Sequence, residues 1–256
     1  MISILITHYN RYDSLINCLE AFSNLKLKNV EYVISDDCSS IDIQEKLKKI
    51  DVDKLIISDK NSGLASNLNR GLKECKGNFI LYCQEDFIPS SNLLIYINEA
   101  KEILSGDKAD MCRLKANYKF PKLIDLSDNF KLIPKFSWRN FYYNTFQYSD
   151  NPFITHSNFF KEFGYFMNDV SGAYGENEYA IRIMKSNARI AISNTYPFKS
   201  NTKSESVILH NSVRKKRAFL KKLRLHRLLR AVRLHFEFLI YNKNKRGLFT
   251  IKNGQN

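Results

Sequence analysis

Polar and acidic residues follow three apolar segments in the first third of this sequence, at the point where each segment ends. They are the runs THYNR (residues 7–11), DDCSS (36–40) and QED (84–86). Oxygen ligands, without the Cys and His spacing of a zinc site, suit a hard cation such as Mg²⁺ or Mn²⁺. The glycine-rich loops GxxxxGK[ST] and GxGxxG, which bind phosphates directly, are absent. The residue types therefore favour a nucleoside diphosphate that is held through a metal ion.

The apolar segments before these runs are predicted to be strands of a mostly parallel sheet. Short apolar runs predict strands, and apolar residues at helical spacing predict the helices between them. The predicted strands are 2–7, 32–35, 54–58 and 79–83, and the predicted helices are 13–22, 43–50 and 64–75. Because parallel strands place their carboxyl ends at one edge of a sheet, the three polar runs are expected to line one crevice. The alternative is a set of ordinary strand exits with solvated acids.

The middle of the chain, residues 116–170, is rich in aromatic side chains and contains Trp138 and three prolines. So many rings must be buried in the core or must form a binding wall. We interpret this segment as lying over the sheet on the acceptor side, with most of its rings in the core. One further helix, at 176–186, and one further strand, at 189–193, are predicted after it.

The composition is that of a globular protein with a full-sized core: 256 residues, of which 44% are hydrophobic and 26% charged. No apolar run reaches the roughly 18 to 20 residues of a membrane-spanning helix, and the N-terminal ISILI lacks the features of a signal peptide. We therefore expect a cytoplasmic protein. The five cysteines form no CxxC pair and are expected to be reduced packing residues.

The net charge of +14 is concentrated near the C-terminus, where residues 214–256 contain 14 Lys and Arg residues and one acid. Apolar residues in this tail follow the spacing of an amphipathic helix. They are Ala218, Leu225, Leu229, Val232, Phe236 and Leu239, with Leu228 beside them. Such a basic helix is suited to lie on an anionic membrane surface. The alternative is that the stripe packs on the globular domain; no nucleic acid partner is expected, because the tail contains no recognised nucleic-acid module.

Four blocks of the sequence, in order, resemble glycosyltransferase family 2. They are ISILITHYNR, EYVISDDCSS, NSGLASNLNRGLKECKGNFILYCQEDFIP and, more weakly, GAYGENEYAIRI, and they cover about residues 1–185. The resemblance implies a GT-A fold, a Rossmann-like α/β fold with a mostly parallel sheet flanked by helices, followed here by a basic helical C-terminal appendage. It places a catalytic domain at 1–205, with a nucleotide-sugar-binding half at 1–105 and an acceptor-side half at 106–205, and the basic tail at 206–256.

The resemblance assigns a nucleotide-sugar pocket to residues of the first three blocks. They are Thr7, Tyr9, Asn10, Arg11, Asp36, Asp37, Asn61, Gly63, Asn69, Arg70, Gln84 and Glu85. Asp36 or Asp37 would accept hydrogen bonds from the base or the ribose, and Arg70 would reach the diphosphate. His8 is expected to orient the first loop, and His156 is a candidate contact for the acceptor sugar.

The resemblance also implies a Mn²⁺ or Mg²⁺ ion at the third polar run. Asp86 matches the last acid of the family's DxD-type motif. The first acid of that motif is replaced by Gln84, so Glu85 and Asp86 would hold the metal, and the missing charge predicts weaker binding than is usual. His210 matches a histidine that reaches the metal or the pyrophosphate in several relatives, and it is a third candidate ligand.

The catalytic base of many relatives matches an asparagine in this chain. In those relatives an acidic pair opens a late helix and its Asp deprotonates the acceptor hydroxyl, whereas Asn177 stands at that place here. Because an amide cannot take the proton, Glu176 or Glu178 would have to serve as the base; we favour Glu176, with Asp169 as a further alternative. Glu178 is expected to be a solvated helix acid.

These features together predict a metal-dependent, inverting, hexosyltransferase-like enzyme. It would move a sugar from a nucleoside-diphosphate sugar to a saccharide acceptor, expected to be lipid-linked, at the inner face of a bacterial membrane. The resemblance suggests a place in surface polysaccharide synthesis, such as that of lipopolysaccharide or capsule. The alternative is an inactive saccharide- or nucleotide-binding protein of the same fold, because acids are missing at positions 84 and 177.

Overall fold

The computed structural model describes residues 1–168, 172–200, 224–242, 245–246 and 249–250. Nine strands form its main sheet: β1 Ile2–His8, β2 Val30–Asp36, β3 Lys54–Ile57, β4 Phe79–Gln84, β6 Met111–Arg113, β7 Ile124–Asp125, β8 Phe130–Ile133, β9 Phe153–His156 and β10 Ile190–Ser193. Two small sheets pair β5 Phe87–Pro89 with β11 Phe198–Ser200, and β12 Lys245–Arg246 with β13 Phe249–Thr250. The helices are α1 Tyr12–Ser23, α2 Ile41–Leu47, α3 Gly63–Glu74, α4 Leu93–Ser105, α5 Phe159–Phe163, α6 Gly172–Lys185 and α7 Arg224–Ile240, with a 3₁₀ turn at Trp138–Asn140.

The predicted parallel half of the sheet is confirmed, with strand bounds within two residues of those expected. Strands β3, β2, β1 and β4 lie side by side and pair in parallel. All seven residues of β1 are buried, as expected for a central strand that is covered on both faces. The register sets Thr7 beside both Ser35 and Gln84, so the carboxyl ends of β1, β2 and β4 meet at one edge.

The aromatic middle segment contributes strands to the sheet, so the expectation that it lies wholly over the sheet is wrong. Strand β9 inserts antiparallel between β4 and β6, and β8 pairs antiparallel with β10. The reason is that β9 satisfies the backbone groups along the second edge of β4, which would otherwise be buried without partners. The expectation that most rings of this segment lie in the core is supported by eight buried rings in the part of it that the structure describes, which are Phe120, Phe130, Phe146, Tyr148, Phe153, Phe159, Phe160 and Phe166.

Helices cover both faces of the sheet and give two hydrophobic clusters. On one face α3 buries Leu68 and Leu72, one helical turn apart, together with Tyr179 of α6. On the other face α1 and α4 bury Leu15 and Tyr96. The described cysteines are all free thiols, as expected, and Cys18, Cys83 and Cys112 are fully buried. The apolar stripe of each helix therefore fixes the strand ends that carry the polar runs.

The C-terminal helix α7 packs on the domain through a different face from the one that the stripe predicts. Ala231 and Leu234 are buried, and Phe238 packs against the core. The described side chains of the predicted stripe are solvent-exposed, at 60% for Leu229 and 71% for Leu239, whereas Ala218 lies outside the described residues. Helix α7 lies against α6, whose Lys185 donates to the backbone carbonyl of Phe238 at 3.1 Å. The alternative that the stripe docks on the domain is therefore wrong for the described part of the helix. Among the described residues, no helix combines the length and the apolar character needed to cross a bilayer.

Candidate active site

A cavity of about 290 Å³ opens at the carboxyl ends of β1, β2 and β4, where the polar runs were predicted to meet. Its walls are formed by Thr7, His8, Tyr9, Arg11, Asp37, Asn61, Gly63, Leu64, Asn67, Gln84 and Glu85. Eight of these residues were assigned to the nucleotide-sugar pocket from the sequence. The cavity brings together side chains that are about 80 residues apart in the chain, because parallel strands end at the same edge.

Asp37 fixes the start of α3 against this cavity. Its carboxylate accepts hydrogen bonds from the backbone N–H groups of Ser62 and Gly63, at 3.1 and 2.7 Å. Gly63 has a φ of 82°, which a residue with a side chain adopts only with strain. Arg70 binds the same carboxylate at 2.5 Å, and its Nε is buried without a hydrogen-bond partner among the described residues. Asp37 therefore links two loops and holds a guanidinium beside the cavity.

Asp36 and Asn10 connect the first two loops and do not line the cavity. Asp36 is fully buried and binds His8 Nδ1 at 2.7 Å and the Ser39 backbone N–H at 2.9 Å. Burial opposes ionisation of Asp36, but the hydrogen bonds from His8 and Ser39 outweigh it and lower its pKa. Asn10 accepts from the backbone N–H of Ser40 at 2.9 Å.

Arg11 bridges the two acids that were assigned to a metal. Its Nη1 lies 3.4 Å from Glu85 Oε1 and 3.0 Å from Asp86 Oδ2. Burial, opposed by the charge of Arg11, raises the pKa of Glu85 to about 8. Asp86 Oδ1 is buried and accepts no hydrogen bond from any described residue. A buried carboxylate oxygen that lacks a partner fits an oxygen-preferring cation, so the residues present suit Mn²⁺ or Mg²⁺.

The described residues contain no group of three or more His, Cys, Asp or Glu side chains arranged to bind a metal. Any such ion would therefore rely on oxygens of the bound diphosphate for part of its coordination, as Mg²⁺ commonly does. The third candidate ligand, His210, lies outside the described residues, and so does Asp169.

Asn69 lies away from the cavity and joins α3 to the segment that follows α5. Its amide nitrogen donates to Phe166 O and Asn168 Oδ1, each at 2.8 Å. Its amide oxygen accepts from the backbone N–H of Phe166 at 3.0 Å. These bonds satisfy both backbone groups of a buried residue, so we interpret Asn69 as a structural cross-link.

Replacing Asn69 with Ala is expected to lower the free energy of unfolding by about 1–3 kcal/mol, because it strands the buried backbone groups of Phe166. Denaturant unfolding measures this change. Asn61→Ala, at an exposed position of the cavity wall, is the matched control and should leave the stability within about 0.5 kcal/mol of wild type. Equal stability of the two variants would contradict the structural role of Asn69.

A hydrogen-bonded link leads from the cavity to the proposed base. Gln84 Nε2 donates to the backbone carbonyl of Asp150 at 2.9 Å, and the backbone N–H of Asp150 donates to Glu176 Oε1 at 3.3 Å. Gln84, which replaces the first acid of the family's motif, therefore holds the Asp150 backbone in place. Asp150 was missed by the sequence reasoning, because it stands in an irregular segment with no periodic signal.

Asp150 and Glu176 form a pair of interacting carboxyl groups. Burial and the charge of Glu176 together raise the pKa of Asp150 to about 8. Burial also raises the pKa of Glu176, although the charges of Arg113 and Arg230 oppose this shift. Arg113 is itself fully buried and donates to the backbone carbonyl of Phe146 at 2.7 Å. A carboxyl pair with raised pKa values beside a cavity is suited to proton transfer near neutral pH.

Glu178 is not a solvated helix acid, as the sequence suggested, but is fully buried. It forms an ion pair with Arg182 at 2.6 Å and accepts a hydrogen bond from Tyr241 at 2.6 Å. Burial of the Glu178 carboxylate without a charged partner would destabilise the fold, and the ion pair with Arg182, four residues later on α6, offsets this cost. Helix α6 also begins at Gly172, so Glu176 lies in its second turn and not at its start.

His156, the candidate contact for the acceptor sugar, lies away from the cavity. It pairs with Phe79 at the beginning of β4, whereas the cavity lies at the carboxyl end of that strand. The antiparallel direction of β9 places it there, and sequence periodicity does not give that direction. His8 lies in the first loop, where its Nε2 accepts from the backbone N–H of Arg11 at 3.2 Å.

Comparison with known proteins gives one family match and several partial relatives. The model of the family described as glycosyl transferase family 2 matches residues 3–169. The cholesterol galactosyltransferase of Borreliella burgdorferi is 31% identical over 104 residues, which are 39% of this chain and 29% of that protein. UDP-Glc:alpha-D-GlcNAc-diphosphoundecaprenol beta-1,3-glucosyltransferase WfaP of Escherichia coli is 35% identical over 89 residues, 34% of this chain and 35% of that protein. The chain thus matches about a third of the length of these relatives.

Among solved structures, the crystal structure of S. aureus TarS 1-349 in complex with UDP-GlcNAc resembles the whole chain. The TM-score is 0.62 at 17% identity, and the match covers 99% of this chain and 74% of that one. Similarity at this level of identity shows a common fold. The α/β architecture is therefore GT-A-like, as the sequence predicted, and it is followed by the helix α7.

Proposed function

Because the chain belongs to glycosyl transferase family 2, we propose that it transfers a sugar from a nucleoside-diphosphate sugar to a saccharide acceptor. The observation that carries this proposal is the cavity at three parallel strand ends, joined through Asp150 to a carboxyl pair. The chemistry that these groups support is displacement of a diphosphate leaving group by a hydroxyl that a carboxylate deprotonates.

The donor is proposed to bind in the cavity at the strand ends. Thr7, Tyr9, Asn61 and Gly63 would contact the nucleoside, and Asp37 would accept hydrogen bonds from it. Arg11 and Arg70 would donate to the diphosphate, since the Nε atom of each has no hydrogen-bond partner among the described residues. Guanidinium groups bind phosphate oxygens with paired donors, which fixes the leaving group in one orientation.

Glu85 and Asp86 are proposed to hold a Mn²⁺ or Mg²⁺ ion against the donor diphosphate, with His210 as a further candidate ligand. When bound, such an ion stabilises the negative charge of the departing nucleoside diphosphate. Arg11 contacts both acids, so it would keep them in place and share in neutralising the charge. The resemblance to the family supports inversion at the anomeric carbon, with attack from the face opposite the leaving group.

Glu176 is proposed as the base that takes the proton of the acceptor hydroxyl. Burial raises its pKa, while the hydrogen bond from the Asp150 backbone and the charges of Arg113 and Arg230 limit the rise. Burial and the charge of Glu176 in turn raise the pKa of Asp150, so both carboxyl groups of the pair have raised pKa values. Gln84 fixes the backbone of Asp150, and so it positions the base relative to the donor.

Removal of the Arg230 charge is expected to move the acidic limb of the activity profile to higher pH. The base works when ionised, so kcat/KM should rise with pH through the pKa of Glu176. In Arg230→Gln a charge that lowers this pKa is gone, so Glu176 ionises less readily and the limb shifts upward. The measurement is kcat/KM against pH, and Arg139→Gln, at an exposed position, should keep the wild-type profile. An unmoved or downward-shifted limb in Arg230→Gln would contradict the interaction of this charge with the base.

The basic C-terminal helix is proposed to bring the enzyme to an anionic membrane surface at the cytoplasmic face. The apolar stripe of α7 is exposed, including Val232 at 51% and Phe236 at 47%, and Arg227 and Arg233 accompany it. This arrangement suits a helix that lies in the headgroup region. The boundary proposed from the sequence, between a catalytic domain at 1–205 and a tail at 206–256, lies outside the described residues and stays a proposal.

The acceptor is proposed to be a lipid-linked saccharide, and the process bacterial surface polysaccharide synthesis. A lipid-linked acceptor is named for the E. coli relative, and a sterol for the Borreliella relative. An exposed apolar helix beside the proposed base suits either kind of lipid.

Transfer and binding are separated by one experiment. The full chain is incubated with Mn²⁺ and UDP-, GDP- or dTDP-linked sugars, and release of the nucleoside diphosphate is measured beside the thermal shift that each nucleoside diphosphate causes. Turnover of one donor, with a shift from the same nucleotide, is the expected result. A shift without turnover of any donor would favour an inactive saccharide- or nucleotide-binding protein.

A further inference from the structure

A second cleft lies along α7, beside the proposed base. Two adjoining cavities of about 480 and 330 Å³ share Tyr118, Phe146, His226 and Arg230 in their walls. Glu176 lines the larger of the two. We call these joined cavities the α7 cleft. Since Glu176 and Gln84 both bind Asp150, the α7 cleft and the donor cavity are connected through that one residue.

The walls of the α7 cleft are strongly basic. Four cationic side chains line it, and Glu176 is the single acid that the described residues contribute. The cations are Lys119, Arg227, Arg230 and Arg233. Like charges placed around one concave surface raise the local concentration of anions. A neutral saccharide alone does not require such a wall.

Arg230 is held in place by aromatic rings and not by an acid. Its guanidinium carbon lies 4.5 Å from the centroid of the Phe146 ring and 5.6 Å from that of Tyr118, whose hydroxyl accepts from Nη2 at 3.1 Å. No carboxylate of a described residue lies within 4.0 Å of it. Arg233 differs, because it pairs with Glu237 at 3.4 Å. Arg230 is therefore a preorganised planar donor whose charge remains available to a ligand.

We propose that the α7 cleft binds a phosphate or diphosphate group carried by the acceptor, with Arg230 as its main contact. The proposal rests on the glycosyl transfer proposed above and names the acceptor's anionic group as the recognised feature. The rings of Tyr118 and Phe146 provide apolar surface for the attached saccharide, whose hydroxyl would meet Glu176. Leu229 lines the same cleft and belongs to the exposed apolar stripe, so a lipid chain on the phosphate would lie along α7.

The test is calorimetric titration of the full chain with inorganic pyrophosphate in EDTA, which prevents metal-mediated binding at the donor cavity. Wild type is expected to bind, and Arg230→Gln to weaken binding by about tenfold or more, since a charged bidentate contact is lost. Arg139→Gln makes the same change at an exposed position outside both cavities and should bind like wild type. Absence of binding by wild type, or equal binding by Arg230→Gln, would overturn the proposal.

Two further measurements identify the source of the phosphate and guard against misfolding. Cosedimentation with phosphatidylglycerol–phosphatidylcholine vesicles should change less than about twofold in Arg230→Gln. A parallel loss of vesicle and pyrophosphate binding would mean that Arg230 binds membrane headgroups, and would overturn the acceptor assignment. Arg233→Gln, at a side chain that is 59% exposed, provides a folded second variant and should also weaken pyrophosphate binding.

Failure of this proposal is distinguishable from failure of the proposed function. Release of nucleoside diphosphate from a donor tests the transferase without reference to the α7 cleft. If donors turn over and pyrophosphate binding does not depend on Arg230, only the acceptor assignment is lost. If no donor turns over but pyrophosphate binding follows Arg230, the cleft binds phosphate in a protein with another activity, which removes the acceptor assignment.

Discussion

Glu176→Gln is expected to lower kcat by about 10²–10⁴-fold, the usual contribution of a general base, while leaving donor binding intact. The amide keeps the size of the side chain and can still accept the hydrogen bond from the Asp150 backbone. It cannot take a proton from the acceptor hydroxyl. Turnover and the nucleotide-dependent thermal shift should therefore separate in this variant, with turnover lost and the shift retained.

The control for this variant is Glu162→Gln, which makes the same chemical change at an exposed acid. It should retain wild-type turnover. Near-normal kcat in Glu176→Gln would exclude Glu176 as the base and direct attention to Asp150, the other member of the pair. A variant in which both Asp150 and Glu176 are replaced by their amides should then lose the activity that remains in Glu176→Gln.

Asp86→Asn is expected to lower kcat/KM by about 10²–10³-fold, because it removes a carboxylate that would hold the proposed metal ion, whose positive charge would stabilise the leaving group. The carboxylate oxygen that accepts no hydrogen bond from described residues, Oδ1, becomes part of a neutral amide. Its affinity for a hard cation falls as a result. Thermal shifts by nucleoside diphosphate with and without Mn²⁺ measure this directly, and the difference between them should disappear.

Asp59→Asn, at an exposed acid, should keep the full metal-dependent shift. A metal-dependent shift that survives in Asp86→Asn would show that the ion, if bound, is held elsewhere. Asp86→Asn also removes the ion pair with Arg11, which contributes to the stability of the fold. The melting temperature of the unliganded variant is therefore recorded beside the shifts. An unliganded melting temperature close to wild type would assign the lost shift to the metal.

Sequence patterns predicted well the part of the site that depends on local order. Each of the runs at 7–11, 36–40 and 84–86 directly follows an apolar strand, and alternation with helices makes those strands parallel. Parallel pairing then brings their ends together whatever the length of chain between them. The four family-like blocks fall in this same region, and for that reason the donor cavity contains most of the residues assigned to it.

The assignments that failed all depended on the direction in which a segment returns to the sheet or a helix faces its neighbour. His156 lies at the far end of β4, because β9 runs antiparallel to it. Glu178 is buried because α6 meets Tyr241, 63 residues later. For the stripe of α7 only the alternative interpretation failed, that it packs on the domain, because Ala231 and Leu234 are the apolar residues that α7 buries. Periodicity identifies a helix, but it does not decide between two possible faces.

The sequence by itself determined the GT-A-like half-sheet, the polar edge of that sheet and the basic tail. Each of these features depends on the types of residues that are close together in the chain. Tertiary structure alone decided that Asp150 stands between Gln84 and Glu176, which are 66 and 26 residues away from it. It also decided that Arg230 rests on Phe146 and Tyr118 without an acidic partner among the described residues. The physical reason is that burial and pairing set the proton affinity and the available charge of these groups, and both arise only when distant segments pack together.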